Sequence, residues 1–456
     1  MEQSQKSQQN KFSNWLKNSI TARMLMVGFL VIILLIPLAY INSLIKERSY
    51  RQIDVVNDIN SKWGNDVLVY GPILKIPYKV YAETQRYNEQ TKTYFKETET
   101  QIKVAYIFPE KLDTDVNVNS KTLNRGNFES AVFTTKMNFS GHYLPIDLTT
   151  KGISIEDMLW DKATILIKTS NLKGIKSEVT LLLNDNPYEF QTNFNHQNKN
   201  SNLDVLETSF LDAKALKDNA NDNFNVNITF NGTEEIKVIP VGKISTMKMR
   251  SNWADPSFIG NYLPNDETKT ITKDGFEADW KVLHINRAFS QQHLDEIPNL
   301  NRFAFGTKFV VLVDEYQKSE RSAKYGFLVI GLTFLIFFLI QTMSKIPIHP
   351  FQYLMIGLAL TMFYTLLVSI SEHSNFLKAY LIAGISVVLL ISLYSKSILK
   401  NLKFPLFIGV SLAALYTFIY VIIQLENYAL LVGSIGLFLI LAIVMFVSRK
   451  IDWHND

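Results

Sequence analysis

The sequence predicts a polytopic α-helical membrane protein: six transmembrane helices, with a large β-rich, sandwich-like exported domain between helices 1 and 2. Three observations carry that expectation. Five long apolar stretches, 325–343, 351–370, 379–394, 404–424 and 428–448, follow one another with hardly a charge inside them. A sixth, 24–45, stands alone near the N-terminus. Between them lies a polar region of short alternating segments broken by Asn, Asp, Gly and Pro. A hydrocarbon core about 30 Å thick takes roughly 17–25 helical residues to cross. Lipid offers no partner for backbone N–H and C=O groups, so a spanning segment must satisfy its own, as a helix does.

Composition narrows the function classes. The net charge of +4 is small for 456 residues. No dense Lys/Arg run is present, so no nucleic-acid partner is expected. The chain has no cysteine, which excludes disulfide frameworks, thiolate metal sites and thiol nucleophiles together.

In chain order, residues 1–23 are polar and basic, with Lys6, Lys11, Lys17 and Arg23 against Glu2. Residues 24–45 are apolar apart from Pro37, Asn42 and Ser43. A cleavable signal peptide would have a shorter apolar core and a small-x-small cleavage site. This segment is longer and bulky to its end, which favours an uncleaved signal-anchor helix, with Pro37 tolerated as a kink. A short helix is expected over 47–61 and another around 209–217.

The exported region, 46–324, reads as mostly β. Phe224-Asn-Val-Asn-Ile-Thr-Phe230 alternates apolar and polar at period two, as a half-buried strand does. Further strands are expected at 67–70, 75–81, 101–108, 130–139, 163–169, 178–183, 188–194, 236–240, 245–251, 276–282 and 308–313. Asn124-Arg-Gly-Asn127, Asn184-Asp-Asn-Pro187, Asn231-Gly232 and Lys273-Asp-Gly275 read as turns between them. Many short strands so punctuated suggest one or two antiparallel sandwiches. The polar stretch 195–202 reads as a mobile loop.

The five-helix bundle, 325–448, ends in a tail, 449–456. Lys/Arg placement sets orientation. With the basic N-terminus in the cytoplasm, Lys345, Lys396, Lys400, Lys403, Arg449 and Lys450 all fall inside. The turns carrying Glu372 and Glu426 fall outside, and Lys378 is the exception. Both termini are then cytoplasmic. Lys46, Arg48, Arg51, Arg321 and Lys324 flank the exported region where lipid headgroups would lie.

Ser251-Asn-Trp-Ala-Asp-Pro-Ser-Phe-Ile-Gly-Asn-Tyr-Leu-Pro264, followed by Gly275-Phe-Glu-Ala-Asp-Trp280, closely resembles the CreD family of bacterial inner-membrane proteins. The resemblance continues through Arg321-Ser-Ala-Lys-Tyr-Gly326, His349-Pro-Phe-Gln-Tyr-Leu354, Ser371-Glu-His-Ser-Asn-Phe376 and Arg449-Lys-Ile-Asp-Trp453. Ile36-Pro37 and Val69-Tyr-Gly-Pro72 match it nearer the N-terminus, and 79–246 is the least similar part. The tail is shorter than in some members. What the resemblance implies is a place in the bacterial inner membrane, with 46–324 periplasmic, and a role in cell-envelope integrity. Members of the family are linked to envelope homeostasis, colicin tolerance and β-lactam response. In some bacteria they are induced through a two-component system. The resemblance implies no catalytic residue.

The residues themselves point the same way. The nucleophile elbow G-x-S-x-G, the P-loop, H-E-x-x-H and the Rossmann fingerprint are all absent. The seven histidines, His142, His196, His284, His293, His349, His373 and His454, have no metal-ligand spacing. Neither a metal nor a cofactor is expected. Glu372 and His373, at the mouth of the bundle, form either a polar site for a ligand or proton, or a solvated capping turn. His349-Pro350 suits a helix start, and Gly433-Ser-Ile-Gly436 suits close helix packing. Trp253, Asp255, Pro256, Phe258 and Trp280 either fill a core or form a platform for a protein or glycan partner. Asp255, Glu277, Asp279 and Arg287 supply the residue types of a paired-carboxylate hydrolase.

Three functions are therefore weighed. The favoured one is a non-enzymatic envelope protein, held in the lipid bilayer, whose exported domain binds an envelope protein or peptidoglycan. The alternatives are a transporter-like accessory and a cell-wall-modifying hydrolase. No Asp, Lys or Arg lies mid-helix, which counts against ion-coupled transport.

Overall fold

The computed structural model describes residues 19–88, 90, 92–126, 128–193, 203–211, 222–309, 315–344, 346–399, 402–425 and 428–449. Most of the helix expected at 209–217, the loop at 195–202, part of the turn at Glu426 and the tail beyond Arg449 lie outside them. Lys345 and Lys400 do too. The chain forms two compact units, Val55–Leu312 and Met1–Asp54 with Val313–Asp456.

The helical unit contains α2 (Glu315–Lys324), α3 (Gly326–Ser344), α4 (Pro350–Ser371), α5 (Phe376–Leu399), α6 (Lys403–Gln424) and α7 (Ala429–Ser448). It also holds most of α1 (Ile20–Trp63). Among the described residues six helices, α1 and α3–α7, are long and apolar enough to cross a membrane, which matches the expected count. The separate helix expected over 47–61 is a correction: α1 runs unbroken for 44 residues with Pro37 inside it. Proline removes one backbone hydrogen bond but does not have to end a helix. Charged residues from Lys46 onward change the solvent the helix suits, not its backbone.

Packing in this unit is aromatic. Phe363 meets Tyr416 at 4.5 Å, Tyr364 at 4.9 Å and Tyr380 at 5.2 Å between ring centroids. Two of the buried hydroxyls find partners: that of Tyr380 donates to Tyr416 O at 2.8 Å, and that of Tyr353 to Gln341 Oε1 at 2.8 Å. His349 caps α4 as expected, its Nδ1 accepting from Phe351 N at 3.2 Å while Gln352 Oε1 accepts from His349 N at 2.9 Å. Helix α7 has no buried residue. It meets α6 at Gly436, where a Cβ would run into the Phe418 ring, so the small-residue pair does permit close packing.

Among the described residues the β unit has sixteen strands: β1 (Val67–Asn88), β2 (Thr93–Ile107), β3 (Lys111–Arg125), β4 (Phe128–Tyr143), β5 (Thr164–Thr169), β6 (Thr180–Leu183), β7 (Asn186–Thr192), β8 (Asp204–Thr208), β9 (Asp222–Thr233), β10 (Glu235–Val238), β11 (Ile244–Ser251), β12 (Pro256–Gly260), β13 (Thr270–Thr272), β14 (Gly275–Leu283), β15 (Gln292–Leu294) and β16 (Phe305–Phe309). They form one hydrogen-bonded path, β12-β16-β10-β1-β5-β8-β7-β6-β9-β4-β3-β11-β14-β13, with β2 on β1 and β15 on β2. Two sheets face each other across one core, as in a sandwich, but β7 joins them. Its first half pairs β6 and its second half pairs β8. Phe309 on one sheet meets Phe133 at 5.1 Å and Phe276 at 6.4 Å on the other. The pairing is not wholly antiparallel, since β1–β10 and β3–β11 run parallel.

Asn184 and Asp185 take φ 46 and 64 and turn β6 into β7, as Asn-Asp pairs do in tight hairpins. The turn expected at Asn231-Gly232 is a correction. Both residues lie inside β9, and Gly232 is small because the Phe133 ring lies where a Cβ would sit. The last turns of α1 belong to this unit. Trp63 Nε1 donates to Phe133 O at 3.1 Å, and Asn60 Nδ2 to Glu234 Oε1 at 2.6 Å.

Candidate functional site

At one end of the β path, four strands bring polar side chains into one row. Asn117 on β3 stands opposite Arg250 on β11, Arg250 opposite Glu277 on β14, and Glu277 opposite Thr270 on β13. Neighbouring strands lie about 4.8 Å apart, so the row is about 14 Å long. Alternate residues share a face, which puts the rows Asp115–Lys248–Asp279 and Asp113–Thr246–Lys281 beside it. Opposite charges then pair across strands. Arg250 Nη2 reaches both Asp115 oxygens at 2.7 and 2.8 Å, and Lys248 Nζ lies 2.5 Å from Glu277 Oε1. These pairs are exposed and add little stability.

The row borders a groove of about 680 Å³ lined by Asn117, Asn119, Asn252, Thr270 and Thr272 together with Asp274. Asn252 extends the β3–β11 ladder through its side chain: Oδ1 accepts from Ser120 N at 2.7 Å and Nδ2 donates to Ser120 O at 2.9 Å. Gly275, at φ 141, allows β13 to turn into β14 beside the Ser251 carbonyl. Amides and hydroxyls of this kind offer both donors and acceptors to a hydroxyl- or amide-rich ligand. Of the polar groove residues, sequence reasoning named Glu277 as a candidate carboxylate, Ser251 and Asn252 within the aromatic motif and Asp274 within a turn, and it missed Asn117, Asn119, Thr270 and Thr272. The period-two spacing of Asn117 and Asn119 was the available signal.

Of the two roles open to the aromatics, core or partner platform, packing against the core is the one seen, with Trp253 and Phe258 half-buried. Phe258 lies 5.7 Å from both Phe276 and Trp280, ring to ring, and Trp253 lies edge-on to Phe309 at 6.2 Å. Trp280 is a correction as a binding residue. It is 2% exposed, and its Nε1 donates to Tyr262 O at 3.2 Å. Period two along β14 puts Phe276, Ala278, Trp280 and Val282 on the core face and Glu277 and Asp279 on the other. Pro256 opens the edge strand β12, and Asp255 before it is exposed.

The residues of the hydrolase alternative are engaged separately. The hydrogen bond from Lys248 holds the Glu277 carboxyl below its ordinary range. Asp279 Oδ2 accepts from Thr268 Oγ1 at 2.6 Å. Arg287 is buried, its Nη2 donating to Val241 O at 3.0 Å and Gly242 O at 2.9 Å, its guanidinium 3.9 Å from the Phe289 ring centroid. Burial pushes its pKa down to about 10. It staples two loops together. Among the described residues no group of three or more His, Asp or Glu gathers as metal ligands would.

In the helical unit, Glu372 follows α4 and lies 3.6 Å from Arg48 Nη1 on α1. Tyr316 on α2 joins them electrostatically. Burial raises its pKa and so does Glu372, while Arg48 and Arg51 oppose the rise. His373 is exposed and forms part of the turn, its N–H donating to Ile370 O at 3.0 Å. Helix α2 was not foreseen, because it is highly charged and its buried face is made of Ser319, Ser322 and Ala323.

A protein-family model described as "Inner membrane protein CreD" matches residues 19–454. The curated Inner membrane protein CreD of Escherichia coli (strain K12) is 27% identical over 445 residues, which cover 96% of this chain and 95% of that protein. A helical unit with six membrane-length helices, a β unit between the first and second of them, and a family match across nearly the whole length agree: the chain belongs to the CreD family of inner-membrane proteins.

Proposed function

We propose that this chain is a non-enzymatic, multi-pass inner-membrane protein of envelope integrity. In this reading its β unit is exported to the periplasm, both termini stay in the cytoplasm, and the Asn117–Thr270 groove binds cell-wall glycan. The observation that carries the binding reading is the in-register polar row along a groove where amides and hydroxyls stand beside the charged Arg250, Asp274 and Glu277. The envelope role is inferred from the family. Orientation is supported by charge: Lys396, Lys403 and Arg449 lie at one end of the bundle and Glu372 at the other. At Glu277 the lowered carboxyl does not suit the general-acid role of glycan cleavage, which needs a raised pKa.

Retention of the full chain, in nanodiscs, on purified peptidoglycan sacculi tests the binding reading. Asn117→Ala with Thr270→Val should lower retention about thirtyfold, the loss of two hydrogen bonds at about 1 kcal/mol each, and Asp255→Ala should leave it unchanged. Equal retention of all three proteins would remove the groove from the function. The absence of native cysteine allows a clean orientation test. A membrane-impermeant maleimide should label Asp185→Cys but not Lys396→Cys in cells with a permeabilised outer membrane. The reverse pattern would invert the topology.

A further inference from the structure

A groove of about 960 Å³ runs along the helical unit between α3, α6 and α7. Its walls are one face of each helix: Leu335 and Leu339 on α3, Phe407 and Phe418 on α6, Ile440 and Val444 on α7. On α3 it extends from Leu332 to Ser344, about 18 Å at 1.5 Å per residue. One leaflet of a bilayer is about 15 Å deep, half of the ~30 Å hydrocarbon core. The groove is therefore as long as one acyl chain is deep.

Its two ends differ. Leu332, Phe418 and Gly436 close one of them, with no charge among the lining residues there. Ser344, Lys403 and Val447 mark the other, and Arg449 follows α7 at that same end. The Ser344 hydroxyl is turned back onto Ile340 O, so the cations set the character of that end. Among the described residues no acid lines the groove.

We infer that this groove is a binding site for one anionic phospholipid, with an acyl chain along α3, α6 and α7 and the phosphate-bearing headgroup at Lys403 and Arg449. Lipid tails are as apolar as leucine, so the chain alone gives no preference over the surrounding bilayer. Selectivity comes from the headgroup end, where each nearby cation favours an anionic lipid about fivefold. A second copy of this chain fits less well. A twofold contact through the groove would bring Lys403 and Arg449 of one protomer toward the same cations of the other. Helix α7 agrees with a lipid neighbour, since no residue on it is buried by protein. In the proposed topology this end faces the cytoplasm, but the inference does not depend on the glycan reading.

Native mass spectrometry of the full chain in mild detergent tests it, with phosphatidylglycerol and phosphatidylcholine as probes. The wild type should retain one phosphatidylglycerol at least fivefold more than phosphatidylcholine. Lys403→Gln should reduce that preference about fivefold without altering the circular dichroism. Ala414→Trp fills the groove from its wall and should abolish retention. Ala414 lines the groove and is exposed, so the indole displaces no core residue. Equal retention of the two lipids by the wild type would mean ordinary boundary lipid only and would overturn the inference. So would a preference that survives both substitutions, or a dimer whose disulfide crosslink forms at Ala414→Cys.

Discussion

Glu207 on β8 is a buried carboxylate, and removing its partner should unlock the β unit without disturbing the helices. Lys75 Nζ on β1 lies 2.7 Å from Glu207 Oε1, with 13% and 10% of the two side chains exposed. Thr164 Oγ1 on β5 donates to the same oxygen at 2.6 Å, and Asn193 Nδ2 donates to the other. The network ties β1, β5 and the β7–β8 connection at the centre of the strand path. Lys75→Met leaves the carboxylate desolvated with its main counter-charge gone, a loss of about 3–5 kcal/mol for a buried pair broken on one side. Lys75→Met with Glu207→Gln removes both charges and should be far milder, with a coupling of at least about 1 kcal/mol. Hydrogen–deuterium exchange of the full chain in detergent reads this unit by unit. Three kilocalories correspond to about a hundredfold faster exchange of β1, β5 and β8 amides, while α4 and α5 amides serve as the internal control. A single variant that speeds exchange less than threefold, or a double variant that equals the sum of the singles, would refute the reasoning.

The same carboxylate gives a pH signature. Burial raises its pKa, but the bonds from Lys75, Thr164 and Asn193 more than offset this and hold it below its ordinary 4.5. A depressed carboxylate stabilises the fold above its unfolded pKa, so β-unit protection should fall as pH drops through 4.5 and below, and Glu207→Gln should flatten the fall. Arg287→Ala leaves the carbonyls of Val241 and Gly242 without their donor and should destabilise the β unit by about 2–3 kcal/mol. Urea titration followed by tryptophan fluorescence would measure it, and Arg287→Lys should restore less than half. Asp185→Gly places glycine at φ 64 and should stabilise the β6–β7 hairpin by about 0.5 kcal/mol. A lower midpoint in the same titration would contradict the turn assignment. Gly436→Val drives a side chain into Phe418 and should separate α7 from α6, lowering the melting temperature in detergent. Phe418→Ala in the same chain should recover part of the loss.

How much of this was legible depends on where the physics is local. A membrane helix announces itself through a run of apolar residues as long as the bilayer is thick, so α3 to α7 could be read directly. The end of α1 could not. Its charges from Lys46 to Lys62 look like a new, solvated helix, because side-chain polarity says nothing about whether the backbone has been interrupted. β9 is legible because Phe224, Val226, Ile228 and Phe230 all face the core. β3 hides because Thr114 and Ser120 occupy buried positions between Leu112, Val116 and Val118, and Asp and Asn stand on the other face. A two-letter turn signal fails in the same way at Asn231-Gly232, where glycine answers to the Phe133 ring and not to a bend.

The candidate groove is less legible still, and the reason is register. Asn117 meets Arg250 only because β3 pairs in parallel with β11 across more than a hundred intervening residues, while Arg250 meets Glu277 through the antiparallel β11–β14 pair. Nothing local to either strand encodes that partnership. The motif rich in Trp, Pro and Phe drew attention because large aromatics are costly to leave exposed, yet that same cost is why Trp280 fills the core and the half-buried Phe258 packs against it. A site built from asparagine and threonine carries no such demand, so each residue taken singly looks like solvated surface. Its meaning lies in the alignment of four strands, and a variant that shifts that alignment should weaken ligand retention while every groove side chain remains in place.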